Sequence, residues 1–352
     1  MYALANRYPG LLSNLPRRTL ANLPTPVEEA IKLGKQVGVD KLFIKRDDLT
    51  AAAYGGNKVR KLEYLLADAQ LRDCDTVLTF GAAGSNHALA TSIFARELGL
   101  HCIAVLTDQT PTPNVGRTLR YHARLGTRLV HAKNYRSSKE TSDEIASTHP
   151  DGPERVYRIP WGGSSWLGTV GFVNAAFELV EQMGPDLPDV IYVACGTMGT
   201  AIGLGLGFGL AGAHTRVEAI QVVPNVVTNA DRFQAMHEQT NAELTARDAQ
   251  VPSIADPWKI VKFRTEFLGP GYADTTPECV AAVEMIGDLE GLQLETTYTG
   301  KALAALIADA GAGILAGEKV MFWNTYNSRP APGDLDEVSI ETIPESLRHY
   351  LQ

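Results

Sequence analysis

The sequence predicts an α/β protein with doubly wound, mostly parallel sheets in two domains. Three observations lead to this prediction. Short apolar, β-branched runs alternate with segments in which apolar residues recur at helical spacing. The chain has 352 residues, enough for two domains that each bury a core. Glycine-rich turns follow several of the runs, at the strand ends where ligands bind in sheets of this kind.

The predicted strands are apolar enough to be buried on both faces. In chain order they are "KLFIKRDD" from Lys41, "DTVLTFG" from Asp75, "CIAVL" from Cys102, "RLVHA" from Arg128, "RVYRIP" from Arg155, "VIYVAC" from Val190, "RVEAIQVV" from Arg216 and "VMFWNT" from Val320. Segments such as "NHALATSIFAREL" and "TVGFVNAAFELVEQM" are predicted helices. The Pro/Gly-rich segments 147–155 and 327–337 are predicted surface loops, so a second domain is expected to be inserted into the first.

Composition indicates a protein that acts on small molecules. The net charge is -8 and no basic stripe occurs, which argues against nucleic-acid binding. The longest apolar run, "AIGLGLGFGLAGA", is too short and too rich in glycine to span a bilayer, and the N-terminus lacks a signal-peptide pattern. The four cysteines form no CxxC pair, so we expect neither disulfides nor a metal site, and a reducing cytoplasm.

The turn after "VIYVA" is the first candidate binding element. It reads "CGTMGTAIGLGLG" from Cys195, and it leads directly into a predicted helix. Backbone N–H groups and the positive end of a helix dipole would converge there on an anion, most plainly a phosphate. It is neither a P-loop nor a dinucleotide fingerprint, because no lysine follows and the glycines are Gly196, Gly199 and Gly203. A tight turn with glycines for packing is the alternative interpretation.

The turn "GAAGSNHALA" from Gly81 is the second candidate. Ser85 or Asn86 would cap a helix that begins near His87, which is a common structural role. The same helix start could offer N–H groups and a hydroxyl to a carboxylate.

The third candidate is residues 54–64, "YGGNKVRKLEY". Lys58 follows two glycines and Asn57 at a predicted helix start, where a positive charge is unfavourable unless it has a function. A desolvated lysine there would have a lowered pKa and act as an amine nucleophile. Lys61 is expected to be an ordinary solvated charge. A reactive lysine, a phosphate turn and a carboxylate site together indicate a pyridoxal phosphate enzyme that acts on an amino acid.

These motifs resemble the fold-type II pyridoxal phosphate enzymes, which share the tryptophan synthase beta-like fold. Within them the chain is similar to the group of D-cysteine desulfhydrases and 1-aminocyclopropane-1-carboxylate (ACC) deaminases. The resemblance runs from "IKRDDLT" and "GGNKVRKLEY" through "GSNH", "PWGGSSWLGTVGFVNAA" and "CGTMGT" to "YTGKA". It implies a large cofactor-binding domain of residues 1–55 and 173–352 and a smaller inserted α/β domain of residues 56–172.

The resemblance also implies roles for individual residues. Lys58 would form the Schiff base with the cofactor, and Lys58, Ser85 and Tyr298 would be catalytic. The expected cofactor-binding residues are Lys58, Asn86, Gly196, Thr197, Met198, Gly199, Thr200 and Thr325. The expected substrate-binding residues are Ser85, Asn86, His87, Trp161 and Tyr298.

Two threonines favour the desulfhydrases over the deaminases. ACC deaminases carry a glutamate and a leucine where this chain has Thr299 and Thr325. The resemblance places Thr325 near the pyridine nitrogen of the cofactor. A neutral hydroxyl there would leave the ring unprotonated, which makes the cofactor a weaker electron sink. A weaker sink suits elimination of a good leaving group such as a thiol. Three features depart from the family pattern: Gly84 replaces a glutamine, Met198 is bulky for a phosphate turn, and "NTYNS" replaces a glycine-rich ending.

The implied function is α,β-elimination of a small amino acid to a keto acid and ammonia, with sulfide if the substrate is cysteine. The resemblance also implies a homodimer. An ACC deaminase, or another pyridoxal phosphate-dependent deaminase, dehydratase or racemase, is the alternative within the cofactor class. A non-catalytic binding protein with the same fold is the alternative from another class, and a nucleotide-dependent oxidoreductase is disfavoured because its fingerprint spacing fails.

Overall fold

A computed structural model describes residues 2–351 of the chain, and it contains ten strands in this range. In chain order the strands are β1 (Val27–Glu29), β2 (Lys41–Lys45), β3 (Thr76–Ala82), β4 (His101–Thr107), β5 (Arg128–His131), β6 (Val156–Arg158), β7 (Val190–Cys195), β8 (Arg216–Gln221), β9 (Val261–Arg264) and β10 (Lys319–Trp323).

The α-helices are interspersed with these strands along the chain. They are α1 (Ala3–Arg7), α2 (Gly10–Asn14), α3 (Ile31–Val37), α4 (Lys58–Leu71), α5 (Asn86–Glu97), α6 (Pro113–Arg124), α7 (Tyr135–Ser147), α8 (Trp166–Met183), α9 (Gly199–Ala211), α10 (Ala230–Arg247), α11 (Pro277–Glu290) and α12 (Thr299–Gly311). Short 3-10 helices lie at Asp47–Leu49, Pro153–Arg155, Trp161–Gly163, Gly184–Asp186, Pro257–Lys259, Leu335–Glu337 and Glu345–Leu351. Within residues 2–351, each helix is too short or too polar to cross a bilayer.

The chain divides into two compact units. The first contains Met1–Leu15, Ala21–Lys61 and Ser164–Ser328, and the second contains Pro16–Leu20, Leu62–Gly163 and Arg329–Gln352. The division therefore falls inside α4, after its first turn. The observed insertion begins and ends a few residues away from the expected limits of 56 and 172. The expected ranges also differ at the C-terminus, because residues 329–352 belong to the second unit.

The first unit is built on a six-stranded sheet in the order β1-β2-β10-β7-β8-β9. All neighbours pair in parallel except β1, which is antiparallel to β2. Alternate residues of β7 enter two hydrophobic clusters: Val190 and Tyr192 pack with residues of α11 and α12, and Ile191 and Val193 pack with residues of α8 and α9. Helices therefore cover both faces, which confirms the doubly wound arrangement.

The second unit has a four-stranded parallel sheet in the order β5-β4-β3-β6. One face packs against α5 and α6, and the other packs against α7. The C-terminal segment joins the first of these clusters through Ile343, Leu347 and Tyr350. This apolar contact explains why residues 329–352 do not extend the first unit.

All of the predicted strands occur, and two strands were missed. β1 reads "VEE" and β9 reads "VKFR", and both lie at the edges of their sheet. Edge strands can keep polar side chains in water, so they lack the continuous apolar run that identifies a central parallel strand. All four cysteines are free thiols.

Candidate active site

The glycines before Lys58 allow a turn that no other residue could form. A Cβ at Gly55 would lie 1.8 Å from the carbonyl oxygen of Asp48, which is a direct overlap. Gly56 has a φ of 94°, in the left-handed region that favours glycine. The turn is fixed by two backbone bonds: Gly56 N–H donates to Asp47 O at 2.7 Å, and Asn57 N–H donates to Thr325 O at 3.2 Å.

Lys58 is the first residue of α4, and its side chain is half-buried. Its Nζ donates to Asn57 Oδ1 at 3.1 Å. Burial lowers the pKa of Lys58 to about 8, and the negative charge of Glu295 partly opposes this shift. With that pKa, roughly a quarter of the amine is neutral at pH 7.5, against ~0.1% for an ordinary lysine. The side chain is thus suited to act as a nucleophile.

The 196–200 turn joins β7 to α9 next to the Lys58 turn. Asn57 links the two, since its Nδ2 donates to Thr200 Oγ1 at 3.0 Å. Gly199 begins α9, and its N–H donates to Thr197 O at 2.9 Å, while the next residues lie at positions whose N–H groups a helix leaves without an intrahelical partner. The hydroxyl of Thr228, which is fully buried, donates to the carbonyl of Gly196. A helix that starts at such a turn favours an anion at its N-terminus.

Met198 does not obstruct this turn. Its φ of 67° is unusual for a residue other than glycine, and it forms the N-cap position of α9. Its side chain is 5% exposed and belongs to the hydrophobic cluster of α8 and α9. The bulky side chain therefore packs in the core, and only the backbone of Met198 contributes to the turn.

Lys61 is not a solvated charge, and that expectation was wrong. The residue is 1% exposed, and its Nζ donates to Ser164 Oγ at 3.0 Å. Ser164 in turn bonds to the hydroxyl of Thr197 at 2.7 Å. A Cβ added at Gly199 would lie 3.0 Å from Lys61 Nζ, so the amine lies directly beside the start of α9. Burial and the nearby charge of Lys58 lower the pKa of Lys61 well below its usual range.

Tyr298 lies at the N-cap position of α12 and contacts a second tyrosine. Its hydroxyl is 2.8 Å from that of Tyr272, and the two rings meet edge to face. Burial raises the pKa of Tyr272 to about 12 and the pKa of Tyr298 well above its usual value. Both phenols therefore stay protonated near neutral pH. Tyr272 was not predicted as a site residue, because it lies in an irregular segment before α11 that carries no recognisable motif.

The two threonines on which the resemblance to the desulfhydrases depends, Thr299 and Thr325, lie in different settings of the first unit. Thr299 is fully buried at the start of α12, and its hydroxyl donates to a carboxylate oxygen of Glu295 at 3.1 Å. Thr325 follows β10, and its carbonyl accepts from Asn57 in the Lys58 turn. Thr325 is thus held next to the lysine that the sequence singled out.

A buried ionic network fixes the first turn of α4 behind Lys58. Arg60 donates to both oxygens of Asp47 at 2.7 and 2.9 Å, and to both oxygens of Glu178 at 2.9 Å. Lys45 donates to Glu178 at 2.7 Å, and Trp323 Nε1 donates to Asp47 at 2.8 Å. Since these residues are at most 1% exposed, the network is a rigid base for the Lys58 turn.

The remaining predicted residues belong to the second unit. Ser85 is the N-cap of α5, accepting from Ala88 N–H at 3.2 Å, and Asn86 is the first residue of that helix. His87 follows and is 3% exposed. Trp161 begins a 3-10 helix, and its ring stacks on Phe80 with the centroids 6.1 Å apart. The roles expected for these residues stay predictions.

The departure at Gly84 has a local explanation. Gly84 N–H donates to the side-chain oxygen of Gln109 at 2.9 Å. A Cβ at Gly84 would lie 3.0 Å from Val115 and 3.2 Å from that same oxygen. The amide of Gln109 therefore lies where a side chain at position 84 would start.

The first unit offers donors that suit pyridoxal phosphate. The N–H groups of the 196–200 turn, the hydroxyls of Ser164 and Thr197 and the buried amine of Lys61 would hold a phosphate. Lys61 supports this fit most directly, because a buried amine beside a helix N-terminus is stabilised by an anion. Lys58 supplies the amine that would carry the aldehyde carbon of the cofactor.

Comparisons with known proteins identify the same cofactor. A family model described as pyridoxal-phosphate dependent enzyme matches residues 18–325. A Pyrococcus abyssi protein, named provisionally as a 1-aminocyclopropane-1-carboxylate deaminase, is 35% identical over 90% of this chain and 92% of its own length. A D-cysteine desulfhydrase of Klebsiella pneumoniae is 34% identical over 84% of this chain and 89% of its own. The solved structure of an ACC deaminase homologue has a TM-score of 0.76 and 32% identity, covering 93% of this chain and 97% of that one.

Proposed function

Since the chain belongs to the family of pyridoxal-phosphate dependent enzymes, we propose that it is a lyase of the D-cysteine desulfhydrase type. The reaction breaks the Cα–H and Cβ–S bonds of the amino acid and releases sulfide. Water then converts the remaining enamine to pyruvate and ammonia. No oxidant or reductant is required, because the electrons of the Cα–H bond form the new carbon–carbon double bond and those of the Cβ–S bond leave with the sulfur.

The observation that carries the proposal is the pair of hydroxyls at Thr299 and Thr325. The resemblance associates a glutamate and a leucine at these positions with ACC deaminases. Thr299 also helps to begin α12 through its bond to Glu295, so a glutamate there would lose that hydroxyl bond. An ACC deaminase is the second candidate, favoured by the similarity to the Pyrococcus abyssi protein.

The side chains of the first unit support a division of tasks. When bound, pyridoxal phosphate supplies the electron sink for cleavage of the Cα–H bond. Lys58, with a pKa of about 8, would hold the cofactor and then remove the α-proton as a base. Tyr298 and Tyr272 stay protonated because their pKa values are raised, so either phenol could donate a proton to the leaving sulfur.

A spectroscopic experiment tests the proposal. The visible absorption of the loaded enzyme is recorded before and after addition of D-cysteine, L-cysteine and ACC, and pyruvate and sulfide are assayed. We expect D-cysteine to change the spectrum and to give both products in equal amounts. The variant Lys58→Ala should lack the visible band, and Lys58→Arg, which keeps the charge without the nucleophile, is the matched control and should lack it too.

The alternatives give different results. Turnover of ACC to ammonia and a keto acid, with no sulfide from D-cysteine, would replace the desulfhydrase by the second candidate. A visible band that no amino acid changes would indicate a binding protein of the same fold.

We further propose a cytoplasmic homodimer. Four free thiols are compatible with a reducing compartment, and the resemblance is to enzymes that are commonly dimers. Light scattering of the purified protein would measure the mass directly, and a mass of 38.0 kDa would contradict the dimer.

A further inference from the structure

Glu295 lies four residues before the first residue of α12 and makes more backbone bonds than an ordinary helix cap. Its carboxylate accepts the backbone N–H of Thr297 at 2.8 Å, of Tyr298 at 2.9 Å and of Thr299 at 2.8 Å. The backbone N–H of Glu295 donates in return to Thr299 Oγ1 at 3.1 Å. One side chain therefore accepts the N–H of the first residue of α12 and those of the two residues before it.

This arrangement fixes the position of the Tyr298 phenol. Both neighbours of Tyr298 are bonded to the same carboxylate, so the backbone around it has little freedom to rotate. The hydroxyl of Tyr298 lies 2.8 Å from that of Tyr272. A Cβ added at Gly196 would lie 3.4 Å from the ring of Tyr298. The tyrosine is thus held between its partner phenol and the 196–200 turn.

The charge of Glu295 also acts on groups of the proposed chemistry. Titratable groups on several elements lie in this region of the first unit: Lys58 and Lys61 on α4, Cys195 at the end of β7, Tyr272, Asp274, Cys279 on α11, and Tyr298 and Lys301 at the start of α12. The charge of Lys58 lowers the pKa of Lys61. Burial raises the pKa of Cys195 to about 12, which keeps its thiol neutral. The carboxylate of Glu295 raises the pKa values of Lys58, Tyr272 and Tyr298.

We propose that Glu295 is a positioning residue for the reaction, whose carboxylate fixes Tyr298 and places a negative charge that acts on the Lys58 nitrogen. The proposal rests on the function proposed above for Lys58 and Tyr298. A glutamine at this position could still accept N–H bonds but would carry no charge. The two contributions of Glu295 can therefore be separated by substitution.

The test uses the full chain loaded with pyridoxal phosphate. The visible absorption of the cofactor attached to Lys58 is titrated with pH for wild type, Glu295→Gln, Glu295→Asp and Glu290→Gln. Glu290 is the matched control, because its carboxylate also accepts one backbone N–H, from Leu33 at 2.8 Å, and it is not among the groups that shift the pKa of Lys58. The titration needs no substrate, so it remains valid if D-cysteine is not turned over.

We expect Glu295→Gln to lower the midpoint of this titration by on the order of half a pH unit or more, because a negative charge near the nitrogen is lost. Glu295→Asp should return the midpoint towards wild type, and Glu290→Gln should leave it unchanged. With an active substrate, both Glu295 variants should lower kcat more than they change KM.

An unchanged midpoint in Glu295→Gln, or an equal shift in Glu290→Gln, would overturn the proposal. If Glu295→Gln does not fold, the test uses Glu295→Asp. The shorter side chain moves the carboxylate away from the N–H groups by one methylene, so kcat should fall. An unchanged kcat would refute the positioning role. A wild-type protein with a normal titration but no D-cysteine turnover would reject only the proposed substrate.

Discussion

The substitution Gly199→Ala tests whether the start of α9 binds the phosphate. An added Cβ would lie 2.8 Å from Ser164 Oγ, 3.0 Å from Lys61 Nζ and 3.1 Å from Thr169 Oγ1. Real Cβ atoms do not approach other atoms more closely than about 3.0 Å, so Ser164 must move. We expect the variant to fold and to bind the cofactor more weakly.

The expected loss follows from the bonds that Ser164 makes. Its hydroxyl accepts from Lys61 at 3.0 Å and bonds to Thr197 at 2.7 Å, and moving it disrupts both. At about 1 kcal/mol for each hydrogen bond, the loss is about 2 kcal/mol, or roughly 30-fold in affinity.

The assay is a titration of the cofactor-free protein with pyridoxal phosphate, followed by visible absorption. Gly209→Ala is the matched control, because it lies on the same helix and its Cβ would meet only flexible side-chain atoms of Ile260 and Ile254, the nearest at 3.2 Å. This control should keep the wild-type affinity and gain up to about 1 kcal/mol of stability from helix propensity. An affinity of Gly199→Ala within threefold of wild type, or an equal loss in Gly209→Ala, would refute the reasoning.

Three other predictions concern the groups around Lys58. Arg60→Met should destabilise the fold by roughly 3–5 kcal/mol, because it leaves the buried carboxylates of Asp47 and Glu178 without their main partner. A denaturant titration measures the free energy of unfolding. A change below about 1 kcal/mol would contradict the stabilising role of the network. Lys61→Met should weaken the binding of pyridoxal phosphate by about tenfold or more, because the amine that would pair with the phosphate is lost. Pyridoxal lacks the phosphate, so its binding should be nearly unchanged. The cofactor-free protein should bind the cofactor faster as the pH rises through about 8, and the rate should then level off, because only the neutral amine of Lys58 reacts. A rate that still rises at pH 10 would indicate a lysine with an ordinary pKa.

The central parts of both sheets could be predicted from the sequence because parallel strands are buried on both faces. Runs such as "VIYVAC" and "VMFWNT" have no polar alternation, and they lie at the middle of the first sheet as β7 and β10. Strand pairing across the insertion could not be predicted in the same way. The neighbours β2 and β10 are far apart in sequence, and no local pattern specifies which of the parallel strands become neighbours.

The candidate site was predictable where a backbone constraint leaves a sequence signal. Gly55 and Gly56 are required by a close approach and a positive φ, and such positions appear as glycines. Tyr272 and Glu295 leave no comparable signal, since a tyrosine in a loop or a glutamate before a helix is common. Their function depends on long-range packing that brings the 272 segment and the start of α12 to the 196–200 turn.

Lys61 could have been identified from helical spacing. It lies three residues after Lys58, so both amines project from the same face of the first turn of α4. Burial of two ammonium groups at a helix N-terminus is unfavourable, because each repels the other and both oppose the helix dipole. Burial lowers the pKa of both lysines, and the charge of Lys58 lowers that of Lys61 further, which leaves Lys58 with an appreciable neutral fraction. A phosphate at the start of α9 would compensate the charge of Lys61 but not that of Lys58. Binding of the phosphate should thus raise the pKa of Lys61, while the reactive amine keeps its neutral fraction.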